Sequence, residues 1–226
     1  MEYILEALPA LLQGALTTLQ LTGLAICFGF IGGTLLGTAR LSRFWPIRLA
    51  TRIYIEFFRG TPLLVQIFWI YFGFPALFQS LGLTFTFDRW AAGVLALSMN
   101  AAAYIAEIVR GGIQSIDRGQ WEAAASMGLN SLQTLRYIVL PQALRRMIPP
   151  LGNEVTTLLK DSSLVAVIGL EELFRRGQLT VATNFRAFEI YTAIGLIYLV
   201  LNLIFAQGFA WLEQWSDPVE KSKRGV

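Results

Sequence analysis

Histidine is absent from the 226-residue chain, and cysteine occurs once, at Cys27. The first absence removes His-based metal sites, the His partner of a nucleophilic serine and the H-E-x-x-H arrangement of zinc hydrolases. The second rules out a disulfide framework. Cys27 lies in an apolar run and is expected to pack as a small hydrophobe. No Walker A glycine loop is present, so the chain has no phosphate cradle of its own. Charged residues make up only 15% of the chain. There is no internal repeat and no pair of aspartate motifs of the kind a two-aspartate intramembrane protease needs. The net charge of +3 and pI near 9.2 come from arginines gathered in loops, and no nucleic-acid partner follows from them.

What fills the chain instead is apolar. At 55% hydrophobic residues and a mean hydropathy of +0.55, the sequence is that of an all-α polytopic membrane protein. A bilayer demands ~20 apolar residues per helix, and five runs meet that length: 10 to 39, 54 to 79, 89 to 110, 141 to 168 and 188 to 212. They form one membrane domain over residues 1 to 226. Basic residues collect on the cytoplasmic side. Arg40, Arg43, Arg48 and Arg52, then Arg110, Arg118, Arg136, Arg145 and Arg146, then Lys221, Lys223 and Arg224 mark three inner segments. Glu2, Glu6, Asp88, Arg89, Glu171, Glu172, Arg175, Arg176 and Arg186 fall on the other side, where acids match or outnumber bases. The N-terminus is therefore expected outside and the C-terminus in the cytoplasm. The acidic start lacks a basic n-region and a small-residue cleavage site, so the first apolar run is expected to be retained.

The long polar segment between the third and fourth runs, about 117 to 140, reads Glu122-Ala123-Ala124-Ala125-Ser126-Met127-Gly128, with Ile138-Val139-Leu140-Pro141 following. Gln120 to Met127 is rich in Ala and Glu and predicts a short helix, ended by a left-handed cap at Gly128. Asn130 or Ser131 can cap a second helix whose Leu132, Leu135 and Val139 recur at helical spacing, and Pro141 interrupts it. A helix-turn-helix on a membrane surface is a rigid knob. The spacing EAA-x3-G-x9-I-x-LP resembles the coupling loop of ABC importer permeases.

Polar residues inside the runs narrow the reading. Ala25, Gly29, Gly33 and Gly37 recur every fourth residue, a small-xxx-small stripe for close helix contact. In Glu56-Phe57-Phe58-Arg59-Gly60-Thr61-Pro62-Leu63, Gly60 breaks the helix, Thr61 can cap the next and Pro62 suits its first turn. Glu56 and Arg59 are spaced to pair along a helix face. Asn100, Tyr104 and Glu107 fall on one face of the third run, with Asn100 and Tyr104 candidates for lining a path and Glu107 spaced to pair with Arg110. The fourth run carries Pro149, Pro150, Gly152, Asn153, Glu154, Thr156, Thr157, Lys160, Asp161, Ser162 and Ser163, a set no lipid-facing helix could hold. It is expected to be central and broken at Pro149-Pro150 and Gly152, as interrupted helices beside substrate cavities are. Asn153, Thr157 and Lys160 share one face, Glu154 and Asp161 a neighbouring one. These groups either contact substrate or form a charge network that locks helices.

The E-x-x-R-G-T-P-L block at Glu56 to Leu63, the N-x3-Y-x2-E-x2-R run from Asn100 to Arg110, the EAA loop, and L-G-N-E with L-K-D-S-S-L between Leu151 and Leu164 jointly resemble the histidine/glutamine/arginine group of ABC permeases. The resemblance implies a type I importer permease with five transmembrane helices in a bacterial inner membrane. It implies work in pairs, with a second copy or a paralogue, and loading from an extracytoplasmic amino-acid-binding protein. A separate ABC ATPase dimer, holding ATP and magnesium, would dock on the loop. By residue match, Glu122, Ala123, Ala124 and Gly128 would couple to that ATPase. Asn153, Glu154, Lys160, Asp161 and Ser162, with Asn100 and Tyr104, would be the substrate-binding candidates. The carboxylates lean toward arginine, lysine or histidine, with glutamine the neutral option. The chain itself would hold no cofactor and catalyse nothing. A channel or secondary transporter for a small polar solute would also place charges in midspan, but it has no need of an EAA loop.

Overall fold

The computed structural model describes residues 2–216, which form ten α-helices linked by short π and 3-10 segments, with no strand among them. The expected tail charges Lys221, Lys223 and Arg224 lie outside the described residues. α1 (Glu2–Ala39) runs through Pro9 without ending, so the first helix starts earlier than the expected residue 10. At 1.5 Å per residue its length is ~57 Å, well beyond the ~30 Å hydrocarbon layer. Part of the helix therefore stands outside that layer.

The second expected run, 54 to 79, divides in two. α2 (Trp45–Gly60) is amphipathic, burying Thr51, Ile55 and Phe58. Thr61 and Pro62 are extended, the backbone that a residue before proline and proline itself favour. The apolar rod then begins at Leu63, as α3 (Leu63–Phe68), a π turn (Trp69–Gly73) and α4 (Phe74–Ser80). Thr61 does not cap α3 with its side chain, as expected from sequence, but donates its hydroxyl back to the Phe57 carbonyl at 2.8 Å.

α5 (Arg89–Gln114) is the axis of the bundle, capped by the Asp88 carboxylate, which accepts from Ala91 N at 2.9 Å. α1 lies along it. A Cβ placed on Gly29 would meet Ala101 Cβ at 2.8 Å, one on Gly33 would meet Ile105 Cβ at 2.6 Å, and one on Gly37 would meet the Ala106 carbonyl oxygen at 2.7 Å. The expected small-residue stripe is thus the contact surface between the two helices. Cys27 is exposed, contrary to expectation, because two residues of helix turn it away from the inward-facing Ala25 and Gly29.

After α5 come α6 (Arg118–Ser126) and α7 (Ser131–Thr134), then a π turn (Leu135–Val139) leading into α8 (Leu140–Asp161). Leu140 N donates to the Leu135 carbonyl, so the helix widens ahead of Pro141 instead of stopping there. The break expected at Pro149-Pro150 and Gly152 is also missing: α8 is continuous. Its neighbours hold it on both sides, Met147 against Gly112 of α5, and Gly152 against Phe209 of α10. Beyond Asp161 the chain tightens into a 3-10 segment (Ser162–Ile168), then forms α9 (Leu173–Asn184) and α10 (Ala187–Ser216). Four helical stretches are long and apolar enough to cross a membrane: Tyr3–Ala39, Leu63–Ser80, Arg89–Gln114 and Ala187–Ser216. α8, the core of the expected fourth run, is too polar to join them by hydropathy.

One fully buried acid ties the opposite end together. Glu172 caps α9 by accepting from Phe174 N at 2.9 Å and Arg175 N at 2.7 Å, and also accepts from Tyr198 Oη of α10 at 2.8 Å and Thr18 Oγ1 of α1 at 3.4 Å. From sequence it was only one of several outer-side acids.

The α1–α5 seam yields a direct test. Gly33→Ala should lower the unfolding temperature of the detergent-solubilised protein, with overpacking costing ~1–3 kcal/mol. Gly23→Ala, where an added Cβ meets nothing within 4 Å, should not. Equal unfolding temperatures for the two variants would show that the seam is not tightly packed.

Candidate functional site

Two features carry the polar chemistry. The first is the knob after α5. Asp117 caps α6 by accepting from Gly119 N at 2.6 Å. The helix ends with Gly128 N donating to the Ala125 carbonyl at 3.0 Å and Leu129 N to the Ala124 carbonyl at 3.1 Å. Gly128 has φ 81°, the left-handed conformation that glycine alone adopts without strain. Asn130 then caps α7 in a reciprocal box: its carboxamide oxygen accepts from Gln133 N, and Gln133 Oε1 accepts from Asn130 N, both at 2.9 Å. The turn is fixed from both sides. Glu122, Ala123 and Gly128 face outward, whereas Ala124 is buried and seats the knob on the bundle. Sequence periodicity missed the knob's apolar surface. Met127, Leu132 and Tyr137 are 82%, 73% and 61% exposed. The π turn shifts the register, so Leu132 points out while Val139 points in.

The second feature is the flank of α8. Asn153, Thr157 and Lys160 are exposed, Glu154 and Asp161 half-buried. Glu154 lies within electrostatic reach of Asp161 and of Arg59 at the end of α2. Arg59 in turn stacks over the Tyr104 ring, 5.2 Å from its centroid, and stands 4.0 Å from Glu107. Arg59, Tyr104, Glu154 and Asp161 therefore form one group spanning α2, α5 and α8, with Asn153 and Lys160 beside it. The pairing expected between Glu56 and Arg59 is not made. Glu56 pairs with Arg52 at 2.6 Å along α2, because Arg59, at the helix end, reaches across to α5. The expected pair of Glu107 and Arg110 is present at 2.7 Å, and Arg40 joins it at 3.3 Å. Spacing alone favours Glu56 as the partner of Arg59 over a substrate contact; the place of Arg59 at the Gly-Thr-Pro break, where a side chain is freed from its own helix, is the signal for a longer reach.

Two candidates are turned inward. Ser162 is fully buried and donates to the Leu159 carbonyl at 2.7 Å. Asn100, 6% exposed, donates to Gln66 Oε1 at 2.9 Å, while Gln66 Nε2 donates to the carbonyls of Phe58 at 2.8 Å and Thr61 at 3.0 Å. That set of bonds satisfies the backbone opened at the Thr61-Pro62 break. No cluster of metal-ligating side chains occurs among the described residues.

Asn100→Ala should therefore act on stability: losing the partner of buried Gln66 costs ~1–3 kcal/mol, read as a lower unfolding temperature in detergent. An unchanged unfolding temperature together with lost substrate binding would make Asn100 a ligand contact instead.

Comparison with known proteins agrees over nearly the whole chain. Residues 25–217 match the binding-protein-dependent transport system inner membrane component family. The glutamine transport system permease protein GlnP of Escherichia coli (strain K12) is 43% identical over 203 residues, covering 90% of this chain and 91% of that one. The octopine transport system permease protein OccM of Rhizobium radiobacter is 38% identical over 225 residues, 98% and 92% of the two chains. A crystal structure described as an amino acid ABC transporter with histidines superposes with a TM-score of 0.86 at 39% identity, covering 93% of this chain and 96% of that one. The chain belongs to the binding-protein-dependent transport system inner membrane component family and is the multi-pass permease subunit of an ABC importer for amino acids, ATP being hydrolysed by a separate subunit.

Proposed function

We propose that this chain pairs with a second copy or a paralogous permease, and that polar amino acids cross along the flank of α8 between the two halves. One observation carries the reading: a membrane protein's central helix exposes Asn153, Thr157 and Lys160 in the single chain, and such groups are tolerated at membrane depth only against protein or a watery path. A partner closes that flank into a cavity. Within it, Glu154 and Asp161 suit an ammonium or guanidinium, and Arg59 above Tyr104 suits a carboxylate. Arginine, lysine and histidine fit the acidic pair best; glutamine is the neutral alternative and is named in the Escherichia coli relative. Asn153, Lys160 and Tyr104 complete the polar lining.

The knob is the docking element for an ATPase dimer that holds ATP and magnesium. Its rigid caps, the outward Glu122, Ala123 and Gly128, and the uncovered Met127, Leu132 and Tyr137 support that role, since several large apolar side chains left exposed on one polar loop suit a protein interface. Ala124 would carry force inward to the bundle. An extracytoplasmic amino-acid-binding protein delivers substrate at the opposite end. Arg40, Arg43, Arg48, Arg118, Arg136, Arg145 and Arg146 argue for a cytoplasmic knob and an outer N-terminus, with the C-terminus inside.

In a Cys27→Ala background, Ser131→Cys should react with a membrane-impermeant maleimide only from the cytoplasmic side, and the bound ATPase should shield it. Labelling from outside would reverse the topology; labelling undiminished by the ATPase would remove the knob from the docking surface.

Glu154→Gln should weaken arginine or lysine binding to the assembled complex by about tenfold or more, equivalent to ~1.4 kcal/mol, and glutamine binding by clearly less. Direct binding to the transporter, without its binding protein, is the measurement, because the binding protein also selects. Equal losses for cationic and neutral substrates would make Glu154 structural and leave the cationic preference unsupported.

A further inference from the structure

The end of the bundle that carries the knob has a concave feature, separate from the flank of α8. Between the C-terminal ends of α1 and α5 and the start of amphipathic α2 lies a cavity of about 400 Å³, lined by Arg40, Arg48, Arg52 and Arg110 together with Trp45 and Leu49. No acid is among its lining residues. The acids nearby neutralise only part of this charge. Glu56 is held by Arg52, and the single carboxylate of Glu107 is divided among Arg110, Arg40 and Arg59. Nη1 of Arg40 is buried with no hydrogen-bond partner among the described residues, as is Oε1 of Glu107, which stands 3.3 Å from Arg40 Nε. Arg48 makes no ion pair among them. Four arginines lining one open cavity with two carboxylates beside them leave a net positive charge that favours an anion.

The rim of the cavity is apolar. Trp45 is 63% and Leu49 43% exposed, with Ile53 of α2 and Phe44 just before it also uncovered. Aromatic and aliphatic side chains beside arginines on an amphipathic helix match the boundary between lipid headgroups and hydrocarbon. A free anion would satisfy the arginines but leave that rim in water, whereas a phospholipid satisfies both. Basic pockets between transmembrane helices recognise anionic headgroups by this combination.

We propose that this cavity binds the phosphate of an anionic glycerophospholipid, with the acyl chains lying over Trp45 and Leu49. The lipid joins α1, α2 and α5 at the membrane surface. The site is independent of which amino acid is carried.

The test uses the importer assembled with its ATPase, delipidated in detergent and titrated with phosphatidylglycerol or phosphatidylcholine, with retained lipid read by native mass spectrometry. Phosphatidylglycerol should be preferred. The preference should fall about fivefold in Arg48→Gln and again in Arg48→Gln/Arg52→Gln, the equivalent of ~1 kcal/mol per arginine. Arg118→Gln, outside the cavity, should keep it. Equal retention of the two lipids by the wild-type complex overturns the proposal without recourse to any variant, and so does an undiminished preference in the double variant. Millimolar inorganic phosphate should not displace the lipid; displacement would overturn the lipid assignment in favour of a free anion.

Discussion

The close approach of α1 to α5 is the constraint on which the rest of the bundle depends. Gly29, Gly33 and Gly37 let the two backbones come so near that a single methyl group would collide with Ala101, Ile105 or the Ala106 carbonyl. Lipid tails are as apolar as leucine, so no hydrophobic force draws helices together inside a bilayer; dispersion at short range does. With α1 flat along one side, α5 is left with its other sides for α2, α3 and α8. That makes α5 a common wall of the arginine cavity and of the group formed by Arg59, Tyr104, Glu154 and Asp161.

Arginine placement shows the same economy. Arg59, Arg40 and Arg110 share Glu107, which links the ends of α1, α2 and α5 through one carboxylate. The geometry places a cationic cavity on one side of Glu107 and, through Arg59 and Tyr104, the acidic flank of α8 on the other. Any movement of α2 relative to α5 would alter both at once. The opposite end of the molecule is tied by Glu172 with Thr18 and Tyr198, a buried acid whose hydrogen bonds are all made within the fold.

The irregular helical turns are where function departs from ideal geometry. The π turn before Pro141 keeps α7 and α8 mechanically continuous, so a displacement at the knob can pass into the polar helix without a flexible joint between them. The capping box at Asn130 and the paired bonds at Gly128 stiffen the other side of the knob. A rigid lever of this kind suits a subunit whose energy source lies in another chain.

Much of this was legible in the sequence because it depends on local spacing. The glycine stripe, the left-handed Gly128, the Asn130 cap and the Glu107–Arg110 pair all follow from which residues stand three or four apart, and helix geometry turns such spacing into contact. The family was legible for the same reason, its motifs being short and contiguous. What spacing could not decide was choice among partners. Arg59 could reach Glu56 or Glu107, and the packing of α2 against α5 selected the latter. Asn100 could face a path or the core, and the backbone opened at Thr61-Pro62 drew it inward through Gln66. Pro149, Pro150 and Gly152 read as a break, yet contacts from Met147 to α5 and from Phe209 of α10 to Gly152 kept α8 whole. Cys27 read as buried, and the face chosen by Ala25 and Gly29 turned it outward. In each case the sequence determined which interactions were available, and the tertiary structure decided among them, because a side chain with several partners in reach settles with the one its neighbours hold in place.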